Sequence, residues 1–326
     1  MSPQTAAPRR LSDADLVRLM ALIKEANSVE LKVTVPTDTH RATVLNLPID
    51  PVEAQPRQVF FFDTPDLALD KAGLVVRARR IQGGRADTVI KLRPVEPAKL
   101  PDEFRYSGSF NVEVDALPGG FVCSGSMKGK TTTQLVRDAV SGNVPLRKMF
   151  TKEQRTFYGA YAPAGIALDD LVVLGPTFIL KAVFTPKALN RRFVAEMWLY
   201  PDGSRILELS TKCLPTEAFQ VAAEARAYLA DLGVVLSGTQ QTKTRTAMRF
   251  FQGQLQREAL AAKAAAAGTT PRRRGRPPKA ATGGAATAKK ASTNGASPAS
   301  GTKPKAKPAT RRRATTPRRR STTSGS

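Results

Sequence analysis

Apolar and polar residues alternate with a period of two along much of this chain, the signature of strands that bury one face. In Val29-Glu30-Leu31-Lys32-Val33, Glu30 and Lys32 share one face and the three apolar residues share the other. Runs of this kind predict strands at about 29–35, 58–63, 74–80, 88–93, 110–114, 153–159, 178–184, 192–200 and 205–212. Pro201-Asp202-Gly203 turns the last two into a hairpin. Helical spacing is rarer. Ser12-Asp13-Ala14-Asp15 is a capping signature ahead of Leu16, Leu19, Met20 and Ile23. Shorter helical patterns fall near 134–140, 215–232 and 242–260. The Gly-Gly, Gly-Ser and Lys-Gly-Lys punctuation from Gly119 to Gly142 reads as a connection leading into the second helix. Many antiparallel strands with few helices predict a mainly β (α+β) domain, a closed antiparallel eight-stranded β-barrel with flanking helices.

Charge divides the chain. Thr269 to Ser326 carries 16 of the 51 Lys and Arg residues and none of the 27 Asp and Glu. It has no aromatic residue and no Leu, Ile, Val or Met, so ordering it would bury too little apolar surface to offset the entropy lost. The organisation expected is an N-terminal arm and helix (1–27), a barrel domain (28–260) and a disordered basic tail (261–326).

Composition excludes several chemistries. Cys123 and Cys213 are far apart in sequence and have neither CxxC spacing nor His companions, which argues against a zinc site or a disulfide framework. His40 is the only histidine, lies in a polar stretch, and is expected to be an ordinary exposed residue. No secretory leader pattern and no apolar run of membrane-spanning length occur, so a cytoplasmic protein without a membrane partner is expected.

The polar faces carry the candidate chemistry, because Arg77/Arg79, Lys91/Arg93, Glu113/Asp115 and Glu208/Ser210/Lys212 each lie on one side of an apolar run. For a single strand this is the ordinary wet face of an antiparallel sheet. Repeated in this order, the pattern resembles the CYTH domain, or triphosphate tunnel metalloenzyme family. That family includes thiamine and inorganic triphosphatases, class IV adenylate cyclases and fungal-type RNA 5′-triphosphatases. Its opening ExExK strand is matched by Ser28-Val29-Glu30-Leu31-Lys32, its Asp-Thr-Pro turn by Phe60-Phe61-Phe62-Asp63-Thr64-Pro65, and its RxR strand by Arg77-Ala78-Arg79. Thr88-Val89-Ile90-Lys91, the acidic strand at Glu113 and Asp115, Arg155, Glu208-Leu209-Ser210 and Thr242-Lys243 follow in the family's order. The resemblance runs from about Val29 to Phe251.

A triphosphate carries about four negative charges near neutrality, and Arg offers a fork that grips phosphate oxygens in pairs. Lys32, Arg77, Arg79, Lys91, Arg155, Lys243 and Arg245 are the candidate phosphate contacts. Carboxylates in such a pocket imply Mg²⁺ or Mn²⁺ between them and the phosphates. Glu30, Glu113 and Glu208 are the candidate metal ligands, with Glu196 and Asp115 behind them; Glu30 and Glu208 are the candidate catalytic groups. Lys148, Lys152 and Lys181 remain open between tunnel and surface. Two residues depart from the family pattern, Ser28 for the first glutamate of ExExK and Ser210 for the second of ExE. The stretch between Arg155 and Glu196 is long, and 168–176 reads as an added hairpin or lid. Two functions stay open: a metal-dependent triphosphatase acting on an inorganic, nucleotide or RNA 5′-triphosphate, and a polyphosphate- or nucleotide-binding protein without turnover.

The tail holds a separate motif. Arg272-Arg273-Arg274-Gly275-Arg276-Pro277-Pro278-Lys279 resembles an AT-hook. Its core Arg274, Gly275, Arg276 and Pro277 is slim enough for the minor groove of A·T-rich DNA. A DNA partner follows, with nucleoid association if the source is bacterial; oligomeric state is not legible in the residues.

Overall fold

The computed structural model describes residues 11–234 and 243–268. Among the described residues nine strands are present: β1 (Ser28–Val35), β2 (Gln55–Asp63), β3 (Leu74–Ile81), β4 (Arg85–Leu92), β5 (Phe110–Leu117), β6 (Gly120–Thr132), β7 (Val172–Phe184), β8 (Phe193–Leu199) and β9 (Arg205–Cys213). Eight α-helices accompany them: α1 (Asp13–Glu25), α2 (His40–Asn46), α3 (Ala68–Lys71), α4 (Asp102–Arg105), α5 (Thr133–Val140), α6 (Lys152–Tyr161), α7 (Ala218–Asp231) and α8 (Lys243–Gly268). The strands close in the order β1-β5-β6-β4-β3-β2-β7-β8-β9, with β9 returning to β1. Closure leaves no unpaired strand edge.

The closed barrel with flanking helices is as expected, but it has nine strands and is mixed. β1 and β5 run parallel, with Ser28 opposite Glu113 and Glu30 opposite Asp115. The extra strand is β6, hidden in the Gly- and Ser-rich stretch. Its glycines serve packing: a Cβ on Gly125 would lie 2.5 Å from the Phe110 ring, and one on Gly129 would lie 2.3 Å from Gln154 Oε1.

The stretch 153–159, expected as a strand, is the helix α6. Thr151 caps it, with a reciprocal Gln154 contact completing a capping box. Gln154 is fully buried, donates to Thr88 O and Met127 O, and accepts from Thr88 Oγ1, which clips α6 to β4 and β6. The expected lid at 168–176 is a short 3-10 turn followed by the first half of β7. His40 is buried rather than exposed, with Nε2 3.0 Å from Val35 O. It opens α2, which folds back on the end of β1. The Ser12 capping box of α1 is present.

Three apolar clusters follow from the strand alternation. One lies outside β5 and β6 under α1 and α6, and includes Val114, Met127 and Phe157. A second holds α7 against β1, β8 and β9 through Ala225 and Leu229. The third is inside the barrel, where Ala247, Met248 and Phe251 of α8 meet Phe61, Leu174, Trp198 and Ile206. α8 thereby packs across one end of the barrel. Cys123 and Cys213 are both buried free thiols. Among the described residues, no helix is long and apolar enough to cross a membrane. The tail with its AT-hook-like motif lies outside the described residues.

Candidate active site in the barrel tunnel

Alternation turns one face of every strand toward the barrel axis; beyond the apolar residues packed under α8, that face is largely charged. A cavity of about 550 Å³ runs through the interior. Its walls carry ten Lys and Arg side chains: Lys32, Arg77, Arg79, Lys91, Arg93, Lys128, Lys181, Lys212, Lys243 and Arg245. Glu30, Asp70, Glu113, Glu196 and Glu208 face them. Six of the seven candidate phosphate contacts therefore meet in one space. Arg155 does not: it lies exposed on α6, where its guanidinium donates to Phe150 O at 2.6 Å. The strand expected there would have aimed it inward; the helix turns it to solvent.

Two carboxylate groups organise the interior. The first is formed by Glu30 of β1 with Glu113 and Asp115 of β5, whose ligand oxygens all lie within 4.8 Å of one another. The parallel β1–β5 pairing brings them together. Lys32 Nζ lies 2.9 Å from Glu30 and 2.7 Å from Asp115, and Lys91 Nζ lies 3.2 Å from Asp115. Arg93 reaches Asp115 at 3.7 Å, and Lys212 pairs with Glu113 and, at 3.6 Å, with Glu30. Burial alone would raise the Glu30 carboxyl, but Lys32 and Lys212 outweigh it and hold the group at about 2. Asp115 is likewise held far below the carboxylate range against its burial, chiefly by Lys32 and Lys91. The Lys32 ammonium, buried between Asp115 and Glu30, is pushed well above its ordinary value. Lys91 goes the other way, because burial outweighs its attraction to Asp115.

The second group is Glu196 and Glu208, which sit directly opposite each other on β8 and β9. Like charges so placed repel unless a cation bridges them. Lys243 supplies it, with Nζ 2.7 Å from Glu196 and 2.6 Å from Glu208, over the Trp198 ring at 5.1 Å. Lys181 reaches Glu196 at 3.4 Å. Burial opposes the charges, yet Lys243 and Lys181 hold Glu196 well below its usual value, and Glu196 and Glu208 raise Lys243. Tyr200 donates to Lys243 O at 3.0 Å, which fixes the first turn of α8 in place. Arg245, on that turn, lies 3.6 Å from Asp70.

Each departing serine has a carboxylate on a neighbouring strand. Ser28 faces Glu113 across β1–β5 and donates to it at 3.4 Å. Near Ser210, Glu196 of β8 faces Glu208. Arg77 differs from the other cations that line the cavity. Its Nε is buried without a hydrogen-bond partner, and burial, then the neighbouring Arg79, push the guanidinium down to about 10. A buried, unpartnered guanidinium aimed into a polar cavity is arranged for an anion.

Three oxygen-donor carboxylates on adjoining strands fit a hard divalent cation, and the donor set is Glu30, Glu113 and Asp115. Glu208 is outside that set and is engaged by Lys243. Lys128 is a tunnel residue that the motifs leave out, and Lys212, on a polar strand face but not among the candidate phosphate contacts, also lines the tunnel. The alternation Ser124, Ser126, Lys128 would have found the first, had the stretch been recognised as a strand. Lys181, open in the sequence, faces the tunnel.

No family model matches the chain, and no curated protein matches it either. Solved structures do. An adenylyl cyclase-like protein from Hippeastrum, described as having a dominant triphosphatase activity, aligns at a TM-score of 0.51 with 16% identity, over 67% of this chain and 93% of that one. An adenylate cyclase-like protein from Bacillus halodurans aligns at 0.48 with 13% identity, over 68% and 97%. At these identities the likeness to the Hippeastrum protein shows the fold alone.

Proposed function

We propose that the tunnel binds a triphosphate-containing anion and hydrolyses its terminal phosphoanhydride with the help of Mg²⁺ or Mn²⁺. The observation that carries this reading is the convergence of ten cations, Arg77 unpartnered among them, on one cavity that also contains three clustered carboxylates. Arg77 and Arg79 of β3 grip phosphate oxygens; Lys32, Lys91 and Lys243 neutralise developing charge. Glu30, Glu113 and Asp115 would hold the metal, which when bound neutralises phosphate charge and polarises an attacking water. Glu208, with Glu196, positions Lys243 in the tunnel. The Hippeastrum protein of the same fold is described as a triphosphatase, which supports the reaction class.

Binding without turnover is the second reading. It is favoured by the ammonium groups already seated on the acidic cluster, Lys32 between Glu30 and Asp115, and Lys212 on Glu113. Phosphate release from tripolyphosphate and nucleoside triphosphates, with Mg²⁺ or Mn²⁺ and with EDTA, separates the two. Metal-dependent release that is lost in Glu30→Gln supports hydrolysis; tight binding without release supports the second reading.

The basic tail belongs to the same proposal as a DNA-binding arm acting through Arg274, Gly275, Arg276 and Pro277. Its support is charge and motif alone. On DNA it would hold the barrel in the cytoplasm at the nucleoid of a bacterial cell.

A further inference from the structure

α8 has two unlike faces. At about 100° per residue, Ala247, Met248, Phe251 and Leu255 share the side packed on the barrel, with Phe250 at its edge. Arg249, Arg257 and Lys263 fall within about 120° of arc on the other side, and all three are exposed. At about 1.5 Å per residue they span about 21 Å of the helix. Arg245 lies on the same side but lines the tunnel and reaches Asp70, so it belongs to the site already described.

This face is uncompensated. Among the described residues none of the three cations is in an ion pair. Glu258, the only acid of α8, projects on the packed side and accepts from Gln254 at 2.9 Å. Gly253 lies between Arg249 and Arg257, both along the helix and around it. Its backbone is helical, and a Cβ there would meet only Arg257 Nη1, at 3.4 Å, an ordinary contact. Neither the backbone nor the packing calls for glycine, which weakens a helix interior relative to alanine. Its effect is to leave bare backbone between two guanidinium groups, where another chain can approach closely.

Unpaired cations strung along about 21 Å suit an extended polyanion better than a small one. The sequence beyond the helix says which. α8 ends at Gly268, and the run from Thr269 onward carries 16 Lys and Arg and no acid, with the AT-hook-like core Arg274 to Pro277 a few residues further on. We infer that the solvent face of α8 is a docking surface for duplex DNA, with Arg249, Arg257 and Lys263 neutralising backbone phosphates beside Gly253. This rests on the reading of the tail as a DNA-binding arm, to which the helix adds contacts of its own. The contacts are to phosphates, so they contribute affinity and salt dependence without sequence preference.

The test is fluorescence anisotropy of a labelled A·T-rich duplex with the full chain, from about 50 to about 200 mM salt. Arg249→Gln/Arg257→Gln/Lys263→Gln loses about tenfold or more in affinity at the low-salt end, with circular dichroism to verify the helix. Its double-logarithmic salt slope is shallower than that of wild type by about 2–3, since each neutralised phosphate contributes about 0.9. Lys24→Gln/Arg41→Gln/Arg226→Gln removes the same charge from exposed positions of α1, α2 and α7 and keeps the wild-type slope within about 1. Gly253→Gln removes no charge and favours the helix, yet loses about threefold by holding phosphates off. It carries the test if the triple variant perturbs folding, and wild-type affinity in it would then overturn the inference. An unchanged slope in a folded triple variant, or the same loss in the charge-matched one, overturns the inference and leaves the tail as the whole DNA site. No DNA binding by wild type overturns both. A duplex RNA of equal length that loses more than DNA through the same three residues would put RNA on this face and overturn the inference.

Discussion

Replacing Lys243 with Met removes the one cation that bridges two opposed, buried carboxylates. Glu208 and Glu196 are 7% and 14% exposed in their side chains, and Lys243 is 18% exposed. Breaking a buried ion pair by removing one partner costs about 3–5 kcal/mol, because the remaining charge is left uncompensated. Lys181 still reaches Glu196 at 3.4 Å, so the lower end applies, about 3 kcal/mol. At about 2–4 °C per kcal/mol for a domain of this size, the melting temperature falls by about 6–12 °C. The pH dependence separates this cause from lost packing. In wild type the depressed Glu196 carboxyl contributes stability that is present above its unfolded value and is lost as pH falls through its folded one. In the variant Glu196 loses its largest cationic partner, so burial weighs against its charged form near neutrality, and that penalty disappears as it takes up a proton. Between about pH 7.5 and about pH 5 the wild-type contribution stays whole while the variant's penalty shrinks, so the gap between the two proteins narrows on acidification. Scanning calorimetry at both pH values is the assay, with Lys243→Met/Glu208→Gln as the companion that recovers part of the loss. A melting temperature unchanged by the substitution, or a gap of the same size at both pH values, would refute the bridging role of Lys243.

Other expectations are independent of that pair. Asp115→Asn leaves Lys32, Lys91 and Arg93 facing a neutral amide in the interior and lowers stability by about 3–5 kcal/mol, read from urea denaturation midpoints. An unchanged midpoint would mean that tunnel water already screens these charges. Gly129→Ala drives a Cβ into Gln154 Oε1 and the Thr88 hydroxyl and costs about 1–3 kcal/mol; full stability would mean α6 shifts freely on the sheet. Ending the chain after Gly268 removes most DNA affinity and its steep salt dependence in a filter-binding or anisotropy assay. Equal DNA binding by the shortened protein would move the DNA site onto the barrel.

Much of this architecture was legible in the residues, and the failures have physical causes. Strands β1, β3, β4, β5, β8 and β9 announce themselves because polar tunnel positions alternate with apolar ones, and β2 through its continuous apolar run Val59 to Phe62. β6 does not, since Gly125 and Gly129 stand where the Phe110 ring and Gln154 press against the sheet, and their small size reads as a loop. α6 was mistaken for a strand because its aromatic Phe157 and Tyr158 suit either element; the deciding signal was the Thr151/Gln154 cap. Arg155, a candidate through the order of the family's motifs, sits exposed on that helix. The parallel β1–β5 contact joins segments 85 residues apart, and no local pattern encodes it, so Asp115 was ranked behind Glu208 as a metal ligand. His40 looked exposed because its neighbours are polar, whereas α2 folds back over β1 and buries it.

In the proposed function the tunnel-facing arginines of β3 hold a triphosphate. Titrating tripolyphosphate into the full-length protein and into Arg77→Ala/Arg79→Ala, with circular dichroism to verify the fold, tests it most directly. Two charge-assisted contacts of about 1.5–3 kcal/mol each predict an affinity loss of about a hundredfold or more in a protein that remains folded. Binding unchanged in the folded double variant would contradict the account.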